Sequence, residues 1–323
     1  MVERINANWF FNQVHQTFDN LHQIFREEGL GEVVSTWEQM KGENGVYKLL
    51  DWLDCKFYGT YPILKSLAQM EEEIPASGLV EASRRFLNKI GVEVKEESKR
   101  RWWMHQEGTG VLAFGNHEST FEHFAFTSLL GREDINFVGV KIMTYLGPHS
   151  RPYFLPVMPG RYATDRKVSG LKSRFDPAHM LYRAEGLSSR EIHQLNDRSL
   201  KQAAEKLAAG EIVFICPAGG FKITNKWGSG IGRIILNTLE LPNLDLDKIL
   251  LVSCCFSGIS KREVYEAARA SQKNGSFSKT LKVRFGTEFN LAQLVNELTE
   301  ELGNEMTATQ ITEFLRQKTL EDS

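Results

Sequence analysis

The sequence predicts an α/β fold: a mixed sheet covered by helices, preceded by a small N-terminal helical bundle. Three observations predict it. Apolar residues at helical spacing dominate the first part of the chain. Beyond it, short runs rich in branched residues alternate with helical stretches, the pattern of a sheet covered by helices. Pro75 to Gly78 forms a joint between the two patterns. The expected division is a helical bundle over residues 1–75 and an α/β domain over residues 76–323.

In the first region Phe11, Val14, Phe18, Leu21 and Phe25 recur at intervals of 3 and 4, which is one helical stripe. Gly29 is a stop signal. Val33, Val34, Trp37 and Met40 suggest a second helix. Val46, Leu49, Leu50 and Leu53 suggest a third, running on towards Leu67. Such a stripe serves as bundle core or, in a minority reading, docks on a membrane surface. After the joint, Leu79 to Ile90 reads as a short amphipathic helix. Val111 to Gly115, Ile135 to Val140, Ile212 to Cys216 and Ile249 to Phe256 read as buried strands. Arg198 to Ala209 and Gly230 to Leu239 read as helices between them. Ser169 to Asn196, rich in Arg, Ser, His and Gly, reads as a long connection of the kind that frames active sites.

Composition excludes some function classes. With 41% apolar residues, the 323-residue chain can build a large core, and its net charge of −2 gives no global signal for nucleic acid. The four cysteines (Cys55, Cys216, Cys254 and Cys255) form no C-x-x-C pair, which fits a reduced, cytoplasmic protein. No secretory signal is expected from the N-terminal residues. The longest apolar stretch, around Ile249 to Phe256, falls well short of the ~20 residues of a membrane span, so a soluble protein is expected.

Three segments carry chemistry. The first is Gly115-Asn116-His117-Glu118-Ser119-Thr120-Phe121-Glu122, between a strand and an apolar helix. A histidine at a strand end points out of the sheet edge, where open α/β sheets bind ligands. Glu122 lies five positions on, about 500° of helix, so the pair can meet only if His117 sits in the loop and Glu122 in the first helical turn. The carboxylate would then orient the imidazole and leave its other nitrogen to take a proton from a hydroxyl. Equally, Ser119-x-x-Glu122 has the form of a capping box, and the two roles compete for one carboxylate.

The second segment is the strand ending in Cys216-Pro217-Ala218-Gly219-Gly220, with Lys222 and Lys226 close behind. Glycines there let backbone amides converge on an anion or a developing oxyanion, or simply close a tight turn. Cys216 lacks a neighbour that would stabilise a thiolate and reads as a buried strand-end residue. The third is the basic group Arg161, Arg166 and Lys167, which is either a phosphate clamp or a solvated charged loop.

The ordered set resembles the glycerolipid acyltransferase superfamily. Asn-His is followed five residues later by an acid, then a basic segment, then a Pro-x-Gly turn ahead of a Gly-containing helix. Glu122 stands where most members have Asp, and the lipid A acyltransferase branch is similar in accepting Glu. Asn196-Asp197-Arg198-Ser199-Leu200-Lys201 and Cys216-Pro217-Ala218-Gly219-Gly220 resemble segments of the soluble plastid-type glycerol-3-phosphate acyltransferases. The resemblance covers about residues 111–240 and is architectural elsewhere.

The resemblance implies that His117 is a general base and Glu122 its partner. It implies an acyl thioester of acyl carrier protein or coenzyme A as co-substrate, and no metal or bound cofactor. The acceptor hydroxyl would belong to glycerol-3-phosphate or a related phosphorylated compound. The substrate-binding candidates are Arg161, Arg166, Lys167, Gly219, Gly220 and Lys222. The implied location is the cytoplasm, or the plastid stroma after removal of a transit peptide, with at most transient contact with a membrane surface. The chain departs from the family just after the Gly-Gly turn, where two arginines are replaced by Phe221, Lys222 and Ile223. That departure leaves two alternatives: the same chemistry on a non-phosphorylated hydroxyl, or a non-catalytic acyl-binding protein.

Overall fold

The computed structural model describes residues 20–43, 48, 60–98, 102–117, 119, 121–166, 182, 185–219, 226–271, 279–303 and 306–321. Phe11, Val14, Phe18 and the third expected helix around Val46 to Leu53 lie outside the described residues.

The chain builds a mixed sheet with helices on both faces. Its seven described strands are β1 (Val92–Glu96), β2 (Gly110–Gly115), β3 (Ile135–Val140), β4 (Phe154–Val157), β5 (Ile212–Ile215), β6 (Ile249–Ser257) and β7 (Lys279–Asn290). They lie in the order β1-β7-β6-β2-β5-β3-β4. β2 pairs in parallel with β5 and β6, and β3 with β5 and β4. β7 runs antiparallel to β6 and parallel to β1. The C-terminal ends of β2, β3, β4, β5 and β6 therefore share one edge of the sheet.

β2 is buried at every position, because both its faces are covered. Val111 and Ala113 pack with Phe124, Phe126, Phe137 and Phe214 on one side. Leu112 and Phe114 pack with Leu200, Ile231 and Ile234 on the other. Alternation by two along an unbroken apolar run is what a central strand requires. Helices α1 (Leu30–Glu43) and α2 (Thr60–Lys89) cover the first face together with α3 (Glu122–Leu129) and α6 (Lys261–Ser271). Helices α4 (Ser189–Ala208), α5 (Gly230–Leu239), α7 (Leu291–Leu302) and α8 (Ala308–Glu321) cover the second. No helix among the described residues is long and apolar enough to cross a membrane.

The N-terminal helices bury Leu30, Ile63, Leu67 and Met70 in the same core as Val111 and Phe124. The expected joint falls inside α2, where Gly78 breaks the helix at φ 78° and ψ 166°. The Glu133 carboxylate caps the second half, accepting from Leu79 N–H at 2.8 Å and Val80 N–H at 3.2 Å. A Cβ on Gly78 would sit 2.5 Å from that carboxylate, so the left-handed kink and its cap both depend on glycine.

The stretch expected to be a connection from Ser169 to Asn196 is helical from Ser189 onward. α4 thus begins well ahead of Arg198, at a full capping box between Ser188 and Glu191. The strands β1, β4 and β7 were not among those expected.

Candidate active site

The site starts at the end of β2. A Cβ on Gly115 would lie 2.6 Å from the Cys254 carbonyl oxygen and 2.8 Å from the Phe256 ring. Only glycine lets β2 lie this close to β6. Asn116 follows, with its side chain buried. Its Nδ2 donates to the Phe256 carbonyl at 2.8 Å, and Phe256 N–H donates to its Oδ1 at 2.7 Å. The amide thus takes up both backbone groups of Phe256 on β6, which a continuing strand would otherwise satisfy. The main chain is released from the ladder, and His117 is the first side chain past the sheet.

His117 Nδ1 lies 2.7 Å from Glu122 Oε2. The imidazole is 22% exposed and the carboxylate 0%. The second carboxylate oxygen accepts from Ser119 N–H. Helix α3 begins at Glu122 itself, and its cap position, Phe121, has no side-chain cap. Ser119 Oγ instead accepts from Phe121 N–H at 3.3 Å. One oxygen thus makes the contact expected of an imidazole partner and the other the carboxylate half of the box, but Ser119 is not the cap of α3. The Ser119 half of the box is replaced by a local turn.

Burial works to raise the pKa of Glu122. The hydrogen bond and charge of His117, with the Ser119 amide, outweigh it and hold the carboxyl below the usual range. An ionised carboxylate accepts only, so Nδ1 carries a proton, and the neutral tautomer that this contact selects has its lone pair on Nε2. Nε2 has no hydrogen-bond partner among the described residues. His123, the next residue on α3, packs its ring at right angles to His117 with 5.4 Å between centroids. Burial, and then the neighbouring His117, push its pKa well below the ordinary imidazole value, so it is neutral.

Cys216 follows β5 beside this pair, its Sγ 3.8 Å from the Asn116 carbonyl. Burial, and then the charge of Glu122, raise its pKa well above the ordinary thiol value. It stays a thiol, although the residue is half-buried rather than buried as expected.

The substrate-binding candidates emerge on the same edge but not at one point. Gly219 follows β5, the neighbour of β2, at φ 60°. Its N–H donates to the Cys216 carbonyl at 3.0 Å, so that amide closes its own turn. Arg161 and Arg166 follow β4. With strands about 5 Å apart, β4 lies roughly 14 Å from β2 along the edge. Arg161 sits over its neighbour's ring, 4.9 Å from the Tyr162 centroid, and is exposed, as is Arg166. Lys167, Gly220 and Lys222 lie outside the described residues.

Asn196 on α4 fixes this basic segment. Its Oδ1 accepts from Met158 N–H at 2.7 Å and its Nδ2 donates to the Met158 carbonyl at 2.9 Å. Downstream, Asp165 accepts from Ser189 N–H at 3.0 Å. The loop carrying Arg161 and Arg166 is thus pinned to α4 before and after Arg161. Asn116, His123 and Asn196 had no assigned role in the sequence reading. An Asn at a strand end is the one local signal that could have marked the first.

No protein-family model matches the chain and no curated protein matches it. Among solved structures, it is similar to the crystal structure of the 1-acyl-sn-glycerophosphate (LPA) acyltransferase PlsC from Thermotoga maritima. The likeness has 12% sequence identity and a TM-score of 0.30, and covers 85% of this chain and 98% of that chain. At that identity and score it says nothing of what this chain binds or does.

Proposed function

We propose that the chain is an acyltransferase that moves an acyl group from a thioester of coenzyme A or acyl carrier protein to a hydroxyl. The observation that carries the reading is the His117–Glu122 pair, with Nδ1 held at 2.7 Å and Nε2 left open at the sheet edge. In this reading Nε2 takes the hydroxyl proton as the oxygen attacks the thioester carbonyl carbon. The tetrahedral intermediate collapses with cleavage of the C–S bond, and the imidazolium returns its proton to the departing thiolate. Glu122 stabilises the imidazolium while it exists. The ordered segments of the sequence support a phosphorylated acceptor such as glycerol-3-phosphate, with Arg161, Arg166, Lys167 and Lys222 and the amides near Gly219 and Gly220 as candidate contacts.

One observation favours a second reading, the same chemistry on a neutral hydroxyl. The Gly219 amide is engaged within its turn, and Phe221 and Ile223 flank Lys222 where a phosphate site would gain cations. The test is acyl transfer from palmitoyl-coenzyme A to glycerol-3-phosphate and to a panel of neutral alcohols, read by mass spectrometry. Substituting His117→Ala should lower turnover by about 10²–10⁴ without unfolding the protein. Turnover close to that of the wild type would rule the mechanism out. Acylation of a neutral alcohol, with no thermal shift on adding glycerol-3-phosphate, would select the second reading.

A further inference from the structure

His123 stands out among the buried polar groups. The residue is 9% exposed. Its ring contacts three others edge-on: His117 at 5.4 Å, Phe137 of β3 at 5.4 Å and Phe214 of β5 at 5.3 Å. Nothing in this aromatic box requires an imidazole. A phenyl ring would make the same ring contacts. Those nitrogens make no hydrogen bond with any described residue. Neither nitrogen is among the fully buried side-chain polar atoms that lack a partner, so the polar edge of the ring is left for a ligand or water to complete. The His123 ring lies beside His117, the group that would meet the acceptor.

We propose that His123 is a second substrate-contacting imidazole of this site, whose N–H donates a hydrogen bond to the carbonyl oxygen of the acyl thioester. This rests on the acyl-transfer reading. As the hydroxyl oxygen bonds to the carbonyl carbon, the C=O π pair moves onto oxygen, and the His123 N–H faces the negative charge that develops there. The proton of the hydroxyl goes to His117 Nε2, so His123 neither gains nor loses one. Depression of its pKa by burial keeps it an N–H donor in its neutral form. A cationic ring there would also repel the imidazolium that forms on His117. A donor aimed where charge develops acts on the transition state more than on ground-state binding.

The experiment compares His123→Phe and His123→Asn with the wild type, using palmitoyl-coenzyme A and whichever acceptor the wild type acylates. Phenylalanine keeps the packing and removes the donor; asparagine restores a donor. The expected result for His123→Phe is a kcat lower by about 10²–10³, a thioester KM within about threefold of the wild type, and an unchanged or higher melting temperature. His123→Asn should recover at least about tenfold of that loss. A His123→Phe enzyme with wild-type kcat would overturn the proposal, and so would equal impairment of both variants.

A measurement on the unmodified protein guards against misfolded variants. The ¹⁵N-imidazole signal of His123 should shift on binding a ketone analogue of palmitoyl-coenzyme A, with a methylene between sulfur and carbonyl. No shift at saturation would also overturn it. The two readings fail separately. Acyl transfer that survives His117→Ala sinks the base mechanism, whereas the His123→Phe rate and the ketone titration decide His123.

Discussion

The substitution Glu122→Gln tests the dyad at the level of single atoms. Glu122 receives two donors, His117 Nδ1 at 2.7 Å and the Ser119 N–H. A glutamine offers one acceptor and one donor to these positions. Turning its NH₂ toward Ser119 would set two donors against each other inside the protein. The carbonyl therefore stays with Ser119 and the NH₂ faces Nδ1. Nδ1 must now accept, and the imidazole proton moves to Nε2, the atom that should receive the hydroxyl proton. The negative charge that would stabilise the imidazolium is lost as well. The combined loss should approach that of removing the base, about 10²–10⁴ in kcat, or about 3–5 kcal/mol of transition-state stabilisation. Stability should change little, by about 1 kcal/mol, because both hydrogen bonds are remade. Thiol release from palmitoyl-coenzyme A and differential scanning fluorimetry read the two effects separately. A Glu122→Gln protein with wild-type turnover would refute the reasoning and leave Glu122 as a support for the turn at Ser119.

Three further outcomes are expected. Asn116→Ala should cost about 2–5 kcal/mol in urea unfolding, since it strands both the N–H and the carbonyl of Phe256; a loss below about 1 kcal/mol would mean that the clamp is not needed. Gly115→Ala should cost about 1–3 kcal/mol by calorimetry, because its Cβ would meet the Cys254 carbonyl at 2.6 Å. His123 is neutral in the fold, with a pKa far below that of the unfolded chain. From about pH 6.5 downward the unfolded state therefore binds a proton that the native state refuses, and stability falls by up to about 1.4 kcal/mol per pH unit. Glu122 adds little to this window, because its lowered pKa keeps it ionised in the fold and the unfolded group titrates only near about pH 4.3. His123→Phe should therefore lose less stability than the wild type between about pH 6.5 and pH 5 in urea melts, and equal losses would contradict a neutral His123.

The parts of the fold legible in the sequence are those whose environment is uniform along the segment. β2, β3, β5 and β6 are covered on both faces, so each reads as an apolar run, broken only by Asn136 in β3 and Ser253 in β6. β7 carries Lys282, Arg284 and Thr287 between its apolar residues and has no such run. β4 contains Pro156, which reads as a turn but is tolerated because β4 is the last strand of the sheet. The start of α4 was hidden by its polarity, although Ser188 and Glu191 have the spacing of the box that they form. In the site, the position of His117 was legible because a strand end dictates it. The role of Glu122 was not, because spacing cannot reveal that one carboxylate has two oxygens with different partners. His123 was invisible for another reason: its surroundings come from Phe137 and Phe214, on strands far from it in sequence.

The residue types around His117 follow the polarity of the backbone that each one meets. Phe256 presents one N–H and one carbonyl to Asn116, and Met158 presents the same pair to Asn196. An amide, with one donor end and one acceptor end, matches both. Glu122 instead meets two donors, and an acceptor-only carboxylate matches them. The opposite swap at Asn116 should therefore fail in the opposite sense to Glu122→Gln. In Asn116→Asp, one oxygen still accepts from Phe256 N–H, but the other faces the Phe256 carbonyl, acceptor against acceptor. Protonation turns that oxygen into a donor and repairs the contact. The folded pKa of this Asp should thus be raised above its unfolded value of about 3.9, so its favourable state is complete below that pH and is lost as pH rises through the folded value. Relative to the wild type, Asn116→Asp should be least destabilised near about pH 4 and most destabilised at about pH 7. A destabilisation independent of pH would show that Asn116 acts by shape alone and not by the match of donor to acceptor.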